Sequence, residues 1–131
     1  MALPNGANGY QVGDGNLNEI VMGTQVAPTA KTAAATLTPA ELATGIITYT
    51  GAAVNLTVPL GTALDAEFGS MKVNSSFDFS IINTDAADAA TVTANTGCTL
   101  VGVAAVAALS SCVWRVRKTG TATYVFYRIA G

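Results

Sequence analysis

Short stretches in which apolar and polar residues alternate recur along the chain, and a spacing of two residues is typical of strands with one buried face. The alternation is clearest in residues 73–84, where aromatic and branched side chains take turns with small polar ones. It predicts a central strand with Phe77, Phe79 and Ile81 on its core face and Asp78 on its polar face.

Two runs near the C-terminal end predict a β-hairpin. Cys112–Lys118 and Thr123–Ile129 are rich in β-branched and aromatic residues, and the connection between them contains a glycine. Strand periodicity places Arg115 and Arg117 on one face of the hairpin and Trp114 on the other. This hairpin is the best-specified element of the sequence.

Other short strands are expected where β-branched runs are bounded by turn residues. They comprise residues 33–37, 46–50, 53–58, 90–94 and 98–101. Residues 103–109 fit a strand or a short apolar helix, because periodicity alone does not separate the two. Many short strands separated by regularly spaced turns indicate an all-β fold, in the form of a β-sandwich or barrel.

Two short helices are expected as crossovers between strands. Residues 38–41 combine a capping threonine, a proline at the first helical position and a glutamate three residues after the cap. Gly45 is expected to end this helix. Thr62 followed by Asp65 has a similar capping signature and predicts a second helix that Thr62 caps.

Residues 1–30 differ in composition from residues 31–131, and we interpret them as an extended N-terminal arm that precedes the β-sandwich domain. Turn-forming Asn and Gly residues are frequent in the arm, yet it holds too many apolar side chains for a solvated linker. One interpretation is a flexible leader, because termini are often poorly ordered. The other, which we prefer, is an arm that becomes ordered along another subunit. Its candidate contact residues are Tyr10, Leu17, Ile20, Val21 and Met22.

The composition describes a weakly charged protein. Only 11% of the residues are charged, 50% are hydrophobic, and the net charge is −2. Such a surface gives little electrostatic repulsion between copies, so we expect assembly rather than a monomer. A pI near 4.7 argues against nucleic-acid binding. No apolar run is long enough for a membrane span, and the first residues lack the features of a secretory signal, so synthesis in a cytoplasm is expected.

The chain contains no histidine, which removes the usual general base and the commonest metal ligand. Ser-His-Asp, Cys-His and zinc–histidine sites are therefore excluded. A two-carboxylate hydrolase is conceivable with Asp78 among its candidate residues, but the strand position of Asp78 favours an outward polar residue or a partner for arginine. Asp85 and Asp88 could touch a cation, but the longer pattern of a calcium loop is missing. We expect no enzyme activity, cofactor or metal.

Cys98 and Cys112 could form a disulfide if their strands were adjacent. A reducing cytoplasm favours two free, buried thiols instead.

The hairpin carries the candidate subunit interface. Arginines beside aromatic residues could bind a nucleic acid or a glycan, but arginine is more often enriched at protein interfaces. We therefore assign contact between subunits, or packing in the core, to the hairpin. The residues concerned are Trp114, Arg115, Arg117 and Tyr127.

Several blocks of the sequence together resemble the small capsid decoration proteins, or cement proteins, of tailed bacteriophages. The blocks are Pro4–Tyr10, Gly13–Ile20, Thr36–Tyr49, Ser76–Thr84 and Trp114–Gly120. None of them is an active-site motif, and the likeness lies in the pattern of blocks over nearly the whole chain.

This resemblance implies a jelly-roll-like domain, usually a homotrimer, that binds the major capsid protein on the outside of the shell where capsomers meet. The protein would be made in the host cytoplasm and located on the outer capsid surface of the virion. Neither a nucleic acid nor a membrane is expected as a partner. The apolar arm would contact the lattice. The alternative is a trimeric tail-fibre or receptor-binding head that recognises a host glycan near Trp114 or Tyr127.

Overall fold

The computed structural model describes residues 22–131, which form ten strands and two short helices. Strands β1 to β5 are Thr29–Lys31, Ala35–Thr36, Ile46–Tyr49, Val54–Thr57 and Ser76–Asn83. Strands β6 to β10 are Ala90–Thr93, Cys98–Val101, Ala105–Val106, Ser111–Gly120 and Thr123–Ala130. Helix α1 is Pro39–Ala43 and helix α2 is Gly61–Glu67. The prediction of a β-rich fold with two short helices is confirmed.

The strands alternate between two sheets as the chain proceeds. The larger sheet has the order β1-β3-β5-β9-β10-β7, and the smaller has the order β2-β4-β6-β8. Strands β1, β3 and β5 run parallel, and so do β2, β4 and β6. The first part of the domain therefore winds as a coil that places one strand in each sheet per turn. The β9–β10 hairpin then pairs antiparallel with β5, and β7 pairs parallel with β10.

Two segments differ from their expected form, and one that was left ambiguous contains a strand. The strand expected at residues 33–37 is reduced to β2, and the ambiguous residues 103–109 contain the two-residue strand β8. Strand β1 was not expected, and its pairing with β3 means that the larger sheet begins at Thr29, within the segment interpreted as the arm.

One hydrophobic core lies between the inner faces of the two sheets. Phe79 and Phe126 meet edge to face with ring centroids 6.1 Å apart, an arrangement that adds about 0.5–1.5 kcal/mol to the stabilisation from burial. The smaller sheet contributes less bulky groups, among them Leu56 and Val92. The largest fully buried side chains are Trp114, Tyr49, Tyr124, Phe79 and Phe126, all on the larger sheet.

The predicted central strand and the predicted hairpin are both confirmed. Strand β5 lies inside the larger sheet between β3 and β9. Phe79 and Ile81 are buried on its inner face, whereas Asp78 is exposed on the outer face. In β9 the buried Trp114 and the exposed Arg115 follow the same alternation.

The capping signature at residues 38–41 starts α1 as predicted. The Thr38 hydroxyl accepts a hydrogen bond from the Glu41 N–H (3.2 Å), and the Glu41 carboxylate accepts one from the Thr38 N–H (2.9 Å). This reciprocal pairing satisfies two backbone donors that a helix start otherwise leaves unpaired. Gly45 follows the helix with φ +84°, a left-handed conformation that glycine adopts without a steric penalty.

The capping prediction for the second helix is wrong. Helix α2 begins at Gly61, and neither Thr62 nor any other side chain caps it. Asp65 turns instead to the β9–β10 connection, where its carboxylate accepts hydrogen bonds from the Ala122 N–H (2.8 Å) and the Tyr124 hydroxyl (2.6 Å). A capping box is a local pattern, and here partners distant in sequence bind the carboxylate.

The turn of the hairpin is held closely against α2. Lys118 Nζ lies 3.0 Å from Asp65 Oδ1, and Ala122 has φ +53°, which is uncommon for a residue with a side chain. Gly61 and Gly97 both approach the Ala122 carbonyl so closely that a Cβ at either position would overlap its oxygen. Polar bonds and backbone contact therefore fix the same turn.

Both cysteines are free and buried, as expected. Strand β10 lies between β7 and β9, which carry Cys98 and Cys112, so the two residues are not on neighbouring strands. Burial raises the pKa of the Cys98 thiol to about 11 and also raises the pKa of Cys112. Both thiols are therefore protonated and unreactive at neutral pH.

We expect Gly61→Ala to lower the free energy of unfolding by about 1–3 kcal/mol, because the added methyl group overlaps a backbone atom that has no rotamer to change. Urea unfolding followed by the fluorescence of Trp114, the single tryptophan of the chain, measures the effect. Gly69→Ala is the matched control, since the nearest atom to its Cβ is 3.7 Å away. Equal midpoints for the two variants would contradict the close contact with Ala122.

We expect the Asp65 carboxylate to stabilise the fold in a pH-dependent way. Hydrogen bonds from Tyr124 and Lys118 lower the pKa of Asp65, so its contribution is present above the pKa of the unfolded chain and is lost as the pH falls through the lowered value. Asp65→Asn should reduce the melting temperature by several degrees at neutral pH, and the difference should shrink toward about pH 2. Thermal unfolding across this range is the measurement, with Glu67→Gln on the exposed side of α2 as control. A difference that does not change with pH would contradict this role.

Candidate functional site

The outer face of the larger sheet carries the arginines of the candidate subunit interface. Arg115 donates hydrogen bonds from Nε and Nη2 to the two carboxylate oxygens of Asp78, at 2.8 and 3.0 Å. This ion pair lowers the pKa of Asp78. The expectation that Asp78 is a partner for arginine is confirmed.

Arg117 is also held within its own chain. Its Nη1 donates to the Asn74 side-chain oxygen (2.9 Å), and its Nε donates to the Tyr127 hydroxyl (3.0 Å). The guanidinium carbon lies 5.7 Å from the centre of the Tyr127 ring, within the range of a cation–π contact. The two arginines thus brace β9 against its neighbours, and any contact with another subunit would be made by groups that already have partners.

Trp114 lies in the core of the chain. Its side chain is fully buried on the inner face of β9, and its indole N–H has no hydrogen-bond acceptor within residues 22–131. The residue therefore fits the core-packing alternative, and it offers no surface to another subunit or to a glycan. Arg115, Arg117 and Tyr127 stay as the predicted interface residues of the hairpin.

Of the predicted arm contacts, Tyr10, Leu17, Ile20 and Val21 lie outside the described residues. Met22 is described and is 84% exposed, the highest exposure of any large apolar side chain in residues 22–131. The whole segment 22–28 is exposed. Its side-chain tie to the rest of the domain is Gln25, whose Nε2 donates to the Thr44 carbonyl (2.6 Å) at the end of α1.

The larger sheet ends in two strands that differ chemically. Strand β1 follows Pro28 and carries Lys31, whose Nζ lies 2.6 Å from Glu41. Lysine and proline at an edge discourage the addition of a further strand. Strand β7 has neither, and exposed apolar side chains surround its end. They are Val101, Val103 and Ile129, with exposures of 48%, 68% and 48%.

An apolar groove of about 390 Å³ lies beside α1 and the start of β5. Leu42, Met71 and the ring pair Phe68 and Phe77, whose centroids are 5.1 Å apart, form its walls. Asp78 at its rim is already bound by Arg115. The groove is suited to apolar contact rather than to proton transfer or charge stabilisation.

In the acidic turn between β5 and β6, the carboxylate of Asp85 already binds backbone N–H groups. Asp85 accepts hydrogen bonds from the N–H groups of Gly51, Ala87 and Asp88, at 3.1, 2.9 and 2.8 Å. These bonds lower the pKa of Asp85. Within residues 22–131, no group of three or more His, Cys, Asp or Glu residues is placed to hold a metal ion.

Neither of the two described helices is long and apolar enough to cross a membrane.

Comparison with known proteins gives no match: no protein-family model, no curated protein and no solved structure is significantly similar to this chain. The geometry of the described residues defines the candidate site. Its elements are the segment 22–28, the exposed edge at β7 and the braced outer face of the larger sheet.

We expect the Asp78–Arg115 pair to contribute little to stability. Both side chains are about half exposed, at 42% and 50%, and pairs of this kind are worth roughly 0.2–1 kcal/mol. A double-mutant cycle with Asp78→Asn and Arg115→Gln, measured by urea unfolding at low and high salt, should give a coupling in that range that decreases with salt. A coupling of several kcal/mol that salt does not change would contradict the exposed character of this face.

Proposed function

We propose that this protein is a structural component of a bacteriophage virion, which binds the outside of the capsid as a homotrimer and stabilises the lattice of major capsid proteins. One observation carries the proposal. The segment 22–28 leaves the domain exposed along its length, with Met22 and Val26 unburied, and it leads into an arm with further apolar residues. Exposed apolar groups of this kind are suited to contact another molecule.

The identity of that molecule comes from the sequence blocks that resemble decoration proteins. The larger sheet supports the same proposal, since its arginines are paired within the chain and its outer face is a braced surface on which few charges are free. A small charge content keeps the desolvation cost of lattice contact low, because burying an unpaired charge is costly. The β domain would then act as a rigid platform that carries the arm.

Stabilisation of the shell would follow from mass action. A protein that binds only the assembled lattice stabilises it by its binding free energy. Three arms held in one trimer bind with a high effective concentration once the first is attached, so individually weak apolar contacts become sufficient.

The jelly-roll description that the resemblance implies is part of this proposal. It is supported by the presence of two sheets that share one core and by the way successive strands alternate between them. The parallel pairs within the coil are the feature that departs from it, because jelly rolls are built from antiparallel strands.

Removing residues 1–21 tests the lattice role of the arm. All ten strands lie within residues 22–131, so the truncated protein should fold and keep the buried-tryptophan fluorescence of the full chain. Its affinity for capsids should fall by about 100-fold or more, which corresponds to about 2.7 kcal/mol. Co-sedimentation with purified capsids that lack the protein is the measurement.

Two substituted full-length chains control this experiment. Ile20→Ser combined with Val21→Ser should reproduce most of the loss, because it removes apolar contact and keeps the length of the arm. Asn5→Ser combined with Asn8→Ser exchanges one polar group for another and should bind normally. Full affinity of the truncated protein would show that the arm assignment is wrong, and failure of the unmodified chain to bind capsids would refute the proposed function itself.

A further inference from the structure

The β7 edge has the properties of a docking site for a seventh strand. Cys98–Val101 pairs with β10 on one side, and no described strand pairs with its other side. The Cys98 N–H already donates to the Asn95 carbonyl (2.9 Å), and the unpaired backbone groups of the edge beyond it form a template for an extended segment. Unlike β1, it carries no lysine or proline that would discourage pairing.

The surroundings of this edge are apolar. Val101, Val103 and Ile129 are all about half exposed or more. Arg128, the cation in their midst, donates to the Val103 carbonyl (2.8 Å) and also to the Ala105 carbonyl. The guanidinium of Arg128 is therefore bonded to backbone carbonyls, and the exposed valine and isoleucine side chains around it favour an apolar partner.

The segment Met22–Ala27 has matching properties. Side chains alternate between two sides of a strand, so this segment, once added as a strand, would place Met22 and Val26 on one side and Gln25 on the other. Gln25 is turned toward its own domain, where it donates to the Thr44 carbonyl. Met22 and Val26, at 84% and 54% exposure, are thus left to face away from that domain. The segment is about as long as the stretch from Cys98 to Val103.

The segment of a given chain is too far from the β7 edge of that same chain. Gln25 is held at Thr44, next to the start of β3, and four strand spacings separate β3 from β7. At about 4.8 Å per spacing this is roughly 19 Å, whereas the three residues from Gln25 to Met22 span at most about 10 Å. A second copy must supply the segment if β7 is to be covered by it.

We propose that Met22–Ala27 of one copy adds to the β7 edge of a second copy, with Met22 and Val26 packed over Val101, Val103 and Ile129. The two surfaces are unlike and lie toward opposite edges of the larger sheet, so the contact is head-to-tail. Contacts of this type close into rings when the rotation between subunits permits. The inference builds on the homotrimer of the proposed function and supplies the surfaces that would join its subunits. It assigns Met22 and Val26 to the contact between subunits and leaves the apolar residues that precede Met22 in the sequence to contact the lattice.

A pair of cysteine substitutions tests the contact. In the double variant Val26→Cys with Val103→Cys, mild oxidation should link subunits into covalent multimers that a reducing agent returns to monomers on a denaturing gel. Cys98 and Cys112 are buried and should not take part. The matched control is Val26→Cys with Val73→Cys, because Val73 is 56% exposed outside the proposed contact. Multimers in both variants, or a link confined to single chains in the first, would overturn the proposal.

Charge substitutions give an independent measurement. Val103→Asp should weaken self-association at least about tenfold, which corresponds to about 1.4 kcal/mol, whereas Val73→Asp should leave it unchanged. Sedimentation equilibrium from about 1 to 100 μM covers the affinities expected of a contact of this size. Equal association of the two variants, or a monomeric unmodified protein over the whole range, would refute the contact.

These experiments separate the inference from the proposed function. Self-association is measured without capsids, so a protein that assembles through β7 but does not bind shells would contradict only the capsid role. The truncation of residues 1–21 leaves Met22–Ala27 in place, and we expect it to retain the assembly while it loses capsid binding.

Discussion

The β9–β10 hairpin is the connection on which the larger sheet depends. Strand β9 pairs with β5, the last strand of the parallel coil in that sheet, and β10 pairs with β7 on the other side. Its inner face also supplies Trp114, Tyr124 and Phe126, three of the largest buried side chains. Both the strand pairing and the core packing of the hairpin require its turn to keep a fixed position. Helix α2 holds it through Asp65 and through the close approach that Gly61 permits, and Gly97, just before β7, approaches the same turn.

Much of this fold could be predicted from local patterns. Alternation in residues 73–84 identified the central strand and its inner face, and the run that contains Trp114 identified β9. The order of strands could not be predicted, because parallel pairing joins residues far apart in sequence and leaves no local signature. Strand β1 has three residues, too few for an alternation to be recognised, so only its pairing with β3 defines it. The Thr62–Asp65 pattern gave a wrong prediction because the Asp65 carboxylate binds Ala122 and Tyr124, which are distant in sequence, and does not cap α2.

The candidate site was less accessible to sequence reasoning. Periodicity correctly separated Trp114 from Arg115, but it could not decide whether the apolar side of the hairpin faces the core or another subunit. The edge at β7 was missed. Cys98–Val101 resembles any other short strand in sequence, and its edge position follows from the order of strands. The lack of lysine or proline within it is the signal that could have suggested an exposed, pairing-competent edge.

The charged residues of the hairpin are weaker candidates for subunit contact than the β7 edge. Arg115 and Arg117 have partners in their own chain, so contact with another subunit would exchange these bonds rather than add to them, and exposed ion pairs contribute little in any case. Backbone groups at an unpaired edge exchange water for intermolecular hydrogen bonds, each worth about 0.5–1.5 kcal/mol net. Apolar side chains beside them gain about 25 cal/mol per Å² on burial. In a protein with so few charges, the proposed strand addition flanked by Val103 and Met22 would therefore join subunits more strongly than the arginines would.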